Sequence, residues 1–170
     1  MNDPERDVGA AIFAASRDPA SHDDWLLRRI GQGDEDAMAA FYREHGRVVL
    51  GQALLVTGER ALAEEIVQDT MLAVWRGAGA FRGESSARSW VIAIARRQTR
   101  DRLRGRRLRA WRGATAKEQG VPAYVVFHDA TLCAIAVAVP ATLGDLAAIN
   151  GVGESKLAKY GEGILGVLHP

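Results

Sequence analysis

A dense block of arginine lies between residues 76 and 112. It contains twelve arginines and no lysine, against the two acidic residues Glu84 and Asp101, so its net charge is +10. The guanidinium group stays ionised at physiological pH, and its planar fork of donors matches phosphate oxygens. Apolar residues are interleaved with the arginines, which favours a folded segment, although a solvated helix face or a basic tail is the alternative. The block therefore predicts an acidic partner, and nucleic acid fits this chemistry.

A second candidate for phosphate chemistry is the short sequence GVG at residues 151–153, with Lys156 one turn further along an expected helix. Glycines entering a helix leave backbone N–H groups open to an anion, and a nearby lysine adds charge. Gly151, Gly153 and Lys156 are therefore candidate nucleic-acid contacts. The alternative is a tight turn between helices that is needed only for packing.

Catalytic and metal-binding patterns are missing from the sequence. Three histidines, His22, His45 and His169, lack metal-ligand spacing, and no nucleophile motif, paired catalytic acids or glycine-rich loop with its lysine stands out. The single cysteine, Cys133, lies in an apolar run, where a small buried hydrophobe is the expected role. We expect no catalytic residue, no metal and no cofactor, and the sequence disfavours an enzyme.

The elements that must position these residues are helical. Residues 1–75 hold 7 basic and 14 acidic residues, a net charge of −7, and residues 113–170 carry −2. Helical spacing of apolar residues follows a cap at Asp23 or Asp24, then continues from Asp34 to Thr57 and from Glu59 to Trp75. A loop rich in glycine and serine follows, and a further helix resumes near Trp90, with a break offered by Gly105.

The last third is divided by proline and glycine into short helices. We expect them at residues 129–139, 143–149, 154–160 and 162–168. Strand-like alternation occurs only at residues 121–127, where Pro122 interrupts it. The predicted fold class is all-α, with two small helical bundles.

Three motifs in the first part of the chain carry a resemblance. They are GDEDA at residues 33–37, AEEIVQDT at 63–70 and WVIAIAR at 90–96, followed by DRLR at 101–104. In order and spacing they resemble region two of bacterial extracytoplasmic-function (ECF) sigma factors. The resemblance covers about residues 25–107. It implies a helical bundle that docks on the β′ clamp helices of core RNA polymerase and opens the minus-ten promoter element.

This resemblance assigns expected roles by position. The polymerase-docking helix would present Glu64, Glu65, Gln68 and Asp69, for which an ordinary solvated face is the alternative. The loop at residues 81–86 would capture an unstacked base of the non-template strand, with Phe81 and Trp90 better explained by packing. The expected DNA contacts in this part are Arg82, Ser85, Ser86, Arg88, Arg96, Arg97 and Arg100. Arg97 stands where the family usually has asparagine, which leaves the base preference open.

The last part of the chain resembles a different family. The sequences GVPAYVVFHDATL at residues 120–132, PATLGDL at 140–146 and INGVGESKLAKYG at 149–161 are similar to the HRDC domain of RecQ helicases and RNase D. The resemblance covers about residues 108–168 and implies a non-catalytic five-helix module that binds DNA or protein. The helix-turn-helix module that usually follows sigma region two has no counterpart in this sequence.

Together these features predict a mobile arm at residues 1–22, a sigma region-two-like domain at 23–107 and an HRDC-like domain at 108–170. We expect a sigma-like initiation factor whose partners are core RNA polymerase, promoter DNA and possible anti-sigma factors. The alternative is a DNA-binding accessory or scaffold protein that retains both folds but does not initiate transcription. No apolar run approaches the ~20 residues of a membrane span, so we expect a cytoplasmic, nucleoid-associated protein.

Overall fold

A computed structural model describes residues 19–170 and shows an all-α protein, as predicted. No strand occurs within this range. Residues 1–18 of the expected arm lie outside the described residues. The helices are α1 (Pro19–Ile30), α2 (Glu35–Thr57), α3 (Arg60–Gly77), α4 (Ala87–Glu118), α5 (Ala123–Val126), α6 (Asp129–Ala138), α7 (Leu143–Ala147) and α8 (Glu154–Leu168), with a 3-10 turn at Ala78–Ala80.

The sequence places the ends of α2 correctly. Asp34 precedes the helix with extended backbone, and its carboxylate accepts a hydrogen bond from the Ala37 N–H at 2.9 Å. This bond, together with the nearby Arg29 guanidinium, holds the pKa of Asp34 below its ordinary value. Gly58 ends the helix in the left-handed region at φ 64°, and its N–H donates to the Leu54 carbonyl.

The expected cap at Asp23 or Asp24 is wrong, because α1 begins earlier, at Pro19. Proline suits the first turn of a helix, where its missing N–H has no intrahelical partner to lose. Asp23 is therefore inside the helix, where its side chain is buried and its carboxylate lies 2.9 Å from His45 Nε2 on α2.

The core of the first compact unit is built from one face of each of four helices. Residues of α1, α2, α3 and the first part of α4 form it, and this unit ends at Thr99. The apolar spacing predicted from Glu59 to Trp75 forms a stripe along α3, in which Leu62 is half-buried and the other members are buried: Ile66, Val67, Thr70, Met71 and Val74. The largest fully buried side chains here are Leu26, Leu27, Ile30, Phe41, Ile66 and Val49.

Helix α4 runs without interruption through the expected break at Gly105. That expectation is wrong because a helical glycine costs only about 1 kcal/mol relative to alanine, which burial of neighbouring residues offsets. Gly105 is itself buried, and Leu108 and Ala116 of the same helix are buried in the second core. The two compact units divide between Thr99 and Arg100, inside α4, and the expected domain boundary at 107/108 also falls within this helix.

The second unit packs the last part of α4 with α5 to α8. Its centre is an aromatic cluster in which the Phe127 ring lies 5.6 Å from Tyr160 and 6.5 Å from Trp111. The Tyr160 hydroxyl donates to Gln119 Oε1 at 2.8 Å. Around the cluster lie the buried side chains of Leu132, Ile135, Leu146 and Ile164.

The strand-like stretch at residues 121–127 contains the single helical turn α5, which agrees with the all-α prediction. Two sequence expectations for this unit need correction. Gly161 does not separate two helices, since α8 is continuous; the glycine is buried where a Cβ atom would lie 2.5 Å from Leu143 Cδ2. Cys133 is exposed, because the buried face of α6 is formed by Thr131, Leu132, Ile135 and Ala136.

None of the helices in the described range has the length and apolar character of a transmembrane span.

Candidate nucleic-acid and protein interfaces

The exposed side of α3 carries the residues expected to bind a protein partner. Glu64, Glu65 and Gln68 are exposed and Asp69 is half-buried, whereas the opposite side of the helix is in the core. Residues four apart lie on the same side of a helix, so Glu64 lies beside Gln68 and Glu65 beside Asp69. The structure therefore groups all four on one surface, which we call the acidic face.

Glu64 has a partner that the sequence reasoning overlooked. The Arg60 Nε atom donates to Glu64 Oε1 at 2.8 Å, and both side chains are exposed. The spacing of four residues between them was a sufficient signal. Part of the negative charge of Glu64 is therefore balanced within α3.

Phe81 and Trp90 pack at the base of the loop before α4. Their rings lie 5.2 Å apart, both are half-buried, and both contact the first core. These contacts support packing as their role, which was the preferred explanation from sequence.

The loop residues proposed to contact DNA have two different environments. Arg82 is 83% exposed and lies 4.0 Å from Glu84, and Ser85 is exposed. Ser86 instead marks the start of α4: its Oγ accepts from the Ser89 N–H at 3.1 Å and lies 2.9 Å from Ser89 Oγ. Ser86 therefore caps the start of α4 and has a structural role.

The first part of α4 presents three arginines on the side opposite the core. Arg96, Arg97 and Arg100 are exposed there, whereas Val91, Ala95 and Thr99 are buried. Arg88 is also exposed, but it lies in the first turn of the helix, seven residues before the buried Ala95 and on the same side. Arg96 and Arg100 are one helical turn apart and lie on the same side. We call Arg96, Arg97 and Arg100 the basic face; exposed guanidinium groups of this kind suit the phosphates of a nucleic-acid backbone.

Two arginines further along α4 hold the second unit together. The Arg104 Nε atom donates to the Ala136 carbonyl at 2.8 Å, and the same guanidinium pairs with Asp101. Arg112 donates to the Phe127 carbonyl at 2.8 Å and lies 2.9 Å from Asp129. The arginine block therefore has two uses, since some guanidinium groups bind within the second unit and others are exposed. The charge available to a partner is smaller than the net +10 of the block.

The glycine turn before α8 has a packing requirement. Gly151 adopts φ 91°, and a Cβ atom there would lie 2.2 Å from Thr131 Oγ1, so only glycine fits. Gly153 is exposed and directly precedes α8. Lys156 is half-buried, with Nζ 5.0 Å from the centre of the Phe127 ring. For Gly151 the packing explanation is sufficient.

The structure also brings together residues that the sequence analysis did not connect. Asp23 on α1 meets His45 on α2, and Glu44 lies beside them, with one ligand atom from each of the three within 4.8 Å. His22 Nε2 lies 3.2 Å from Glu44 Oε1. Each of these pairs is separated by 22 residues, so the partners form no short motif in the sequence. This explains why sequence analysis did not connect them.

Comparisons with known families agree with both resemblances. Residues 41–114 match the Sigma-70 region 2 family, and residues 101–168 match the HRDC domain family. The two matches overlap at residues 101–114, which lie within α4. The chain therefore contains a sigma-70 region 2 segment followed by an HRDC domain.

Individual relatives are of two kinds, sigma factors and a DNA helicase. The chain is 38% identical over 96 residues to the ECF RNA polymerase sigma factor SigK of Mycolicibacterium vanbaalenii, covering 55% of this chain and 49% of that protein. It is 55% identical over 58 residues to the ATP-dependent DNA helicase UvrD2 of Mycobacterium tuberculosis, covering 34% of this chain and 8% of the helicase. The chain thus spans less than a tenth of that helicase and about half of that sigma factor. No solved structure matches the chain.

Proposed function

We propose that this chain, in which a sigma-70 region 2 segment precedes an HRDC domain, is a sigma-like transcription initiation factor. The acidic face of α3 docks on the β′ clamp helices of core RNA polymerase. The loop at residues 82–86 and the basic face of α4 engage the non-template strand of the minus-ten element. The HRDC unit adds a nucleic-acid or protein contact through Gly153 and Lys156, and the chain works with DNA in the cytoplasm without a catalytic role.

The observation that carries this proposal is the segregation of charge between two helices of the first unit. Glu65 and Asp69 belong to α3, and Arg96 and Arg97 belong to α4, yet all four lie outside the core that the two helices share. Carboxylates on one helix and guanidinium groups on another suit two different partners, one basic and one acidic. Promoter DNA supplies phosphates, and a basic protein surface matches the carboxylates.

Binding to core RNA polymerase is the decisive test. We expect the chain to co-elute with core polymerase in size-exclusion chromatography. The Glu65→Arg, Asp69→Arg variant should lose this binding, because reversing charge at an interface introduces repulsion where attraction existed. A matched control is Glu118→Arg, Glu162→Arg, which makes the same charge change at exposed residues of the second unit.

The three proteins should have the same helical content by circular dichroism. Binding by the parent and the control alone supports docking through α3, and opening of promoter DNA is then measured with the bound polymerase. Equal binding by all three would show that the acidic face is not the interface.

A second candidate function is a non-initiating DNA-binding accessory or scaffold protein. The similarity of the second unit to part of a DNA helicase favours it. Failure of the parent to bind core polymerase, combined with retained DNA binding, would favour this function over initiation. An anti-sigma partner stays a prediction.

A further inference from the structure

A cluster of metal-ligand side chains lies where α1 contacts α2, away from the acidic and basic faces. Asp23 of α1 and Glu44 and His45 of α2 each place one ligand atom within 4.8 Å of the others. Carboxylate oxygen and imidazole nitrogen are ordinary ligands of zinc and similar divalent transition metals.

The two inner ligands are fixed in position. Asp23 and His45 side chains are only 13% and 9% exposed, and Asp23 Oδ1 lies 2.9 Å from His45 Nε2. Two ligands of a tetrahedral zinc ion with bonds of 2.0–2.1 Å lie about 3.3 Å apart. Separating this pair by a few tenths of an ångström would therefore admit the ion between them.

The outer side of the cluster is open to solvent. The Glu44 side chain is 43% exposed, which leaves a path by which an ion enters and water exchanges. His22 Nε2 lies 3.2 Å from Glu44 Oε1 and is 38% exposed, so a second imidazole is available at the rim. The fourth position of a tetrahedral site can thus be filled by water.

We propose that Asp23, Glu44 and His45 bind one divalent transition-metal ion, with zinc as the representative, and that the ion fastens α1 to α2. Binding requires the neutral imidazole of His45 to offer the lone pair of Nε2, with its proton on Nδ1. The opposing interpretation is that Asp23 and His45 form only a buried hydrogen bond. This proposal stands on the cluster alone and does not depend on polymerase binding.

The test uses the full chain without a histidine tag, stripped of metal by a chelator. Zn²⁺ should bind with a stoichiometry of one and a Kd below about 0.1 mM in calorimetric titration. Co²⁺ in place of Zn²⁺ should give the intense visible absorption of a four-coordinate ion. Zinc at about 100 times Kd should raise Tm by about 10 °C, because the ion binds the folded state only.

Three variants distinguish binding at this cluster from adventitious binding elsewhere on the chain. Glu44→Gln removes an exposed ligand, so it should fold normally and bind Zn²⁺ at least about tenfold more weakly. His45→Gln should abolish the Co²⁺ spectrum, and Glu35→Gln, another exposed residue of α2, should leave binding unchanged.

Two results would overturn the proposal. One is a Kd for Zn²⁺ weaker than about 0.1 mM in the parent chain. The other is equal affinity in the parent and in Glu44→Gln, which would place the bound ion elsewhere.

Discussion

The charged side chain of Asp34 caps the start of the long helix α2. Its carboxylate accepts from the Ala37 N–H, which is the main cause of its lowered pKa, and Arg29 pairs with it. A group with a lowered pKa in the folded protein stabilises it above the ordinary pKa, here 3.8, and this contribution is lost as the pH falls through the folded pKa.

The Asp34→Asn variant tests this linkage, because asparagine is a good cap that does not titrate. At neutral pH we expect a lower Tm for the variant than for the parent. Below pH 3.8 the difference should shrink, since Asp34 then takes up a proton more readily in the unfolded parent than in the folded one. Thermal unfolding followed by circular dichroism across this range measures it. A difference that is the same at pH 6 and pH 3 would contradict the linkage.

The sequence identifies residue types with more success than residue environments. The arginine block is visible from composition, but nothing in its spacing shows that Arg104 and Arg112 bind backbone carbonyls while Arg96 and Arg100 are exposed. That difference depends on α6 and on residues near Phe127, which are distant in sequence. Charge counting therefore overestimates the number of guanidinium groups available to a ligand.

At the scale of elements, the helices of the first unit are the most predictable part of the protein. The stripe of α3 and the ends of α2 follow from apolar period and from Asp34 and Gly58. The errors come from glycine inside helices. Gly105 and Gly161 were expected to break helices, yet both are buried where neighbouring elements come close. Tertiary packing outweighs a propensity cost of about 1 kcal/mol.

Two alanine substitutions distinguish these uses of helical glycine. Gly113 is exposed within α4, with open space where a Cβ atom would lie, so Gly113→Ala should stabilise the second unit by about 1 kcal/mol. At Gly161 the added methyl group would lie 2.5 Å from Leu143 Cδ2. Gly161→Ala should stabilise the protein less than Gly113→Ala does, because the Leu143 side chain must move to admit the methyl group and this offsets part of the gain in propensity. Urea unfolding measures both, and equal stabilisation would contradict this explanation.

At the scale of the whole molecule, the sequence predicts the order of the two units but not the position of the boundary between them. The motifs at residues 63–70 and 149–161 belong to different units and identify each one. The division falls inside α4, so no loop or change in composition marks it. The cluster of Asp23, Glu44 and His45 was equally invisible, since it exists only after α1 packs on α2.

The distribution of charge over the molecule leads to a prediction about DNA binding. Arg96 and Arg100 lie on the basic face, and replacing both with alanine removes two phosphate contacts if that face binds single-stranded DNA. The slope of log K against log salt concentration is negative, and each contact with a single strand adds about 0.7 to its magnitude. The variant should therefore have a slope that is smaller in magnitude by about 1.4. Fluorescence anisotropy with a labelled single strand, titrated at several salt concentrations, measures this slope.

The matched control is Arg43→Ala, Arg47→Ala, which removes the same charge from exposed residues of α2. Long-range attraction between the whole chain and DNA depends on net charge, so both double variants lose that part of the affinity equally. Only direct contacts release additional counterions. A larger loss of slope for Arg96→Ala, Arg100→Ala therefore assigns the contact to α4, whereas equal losses would mean that this face does not touch the strand.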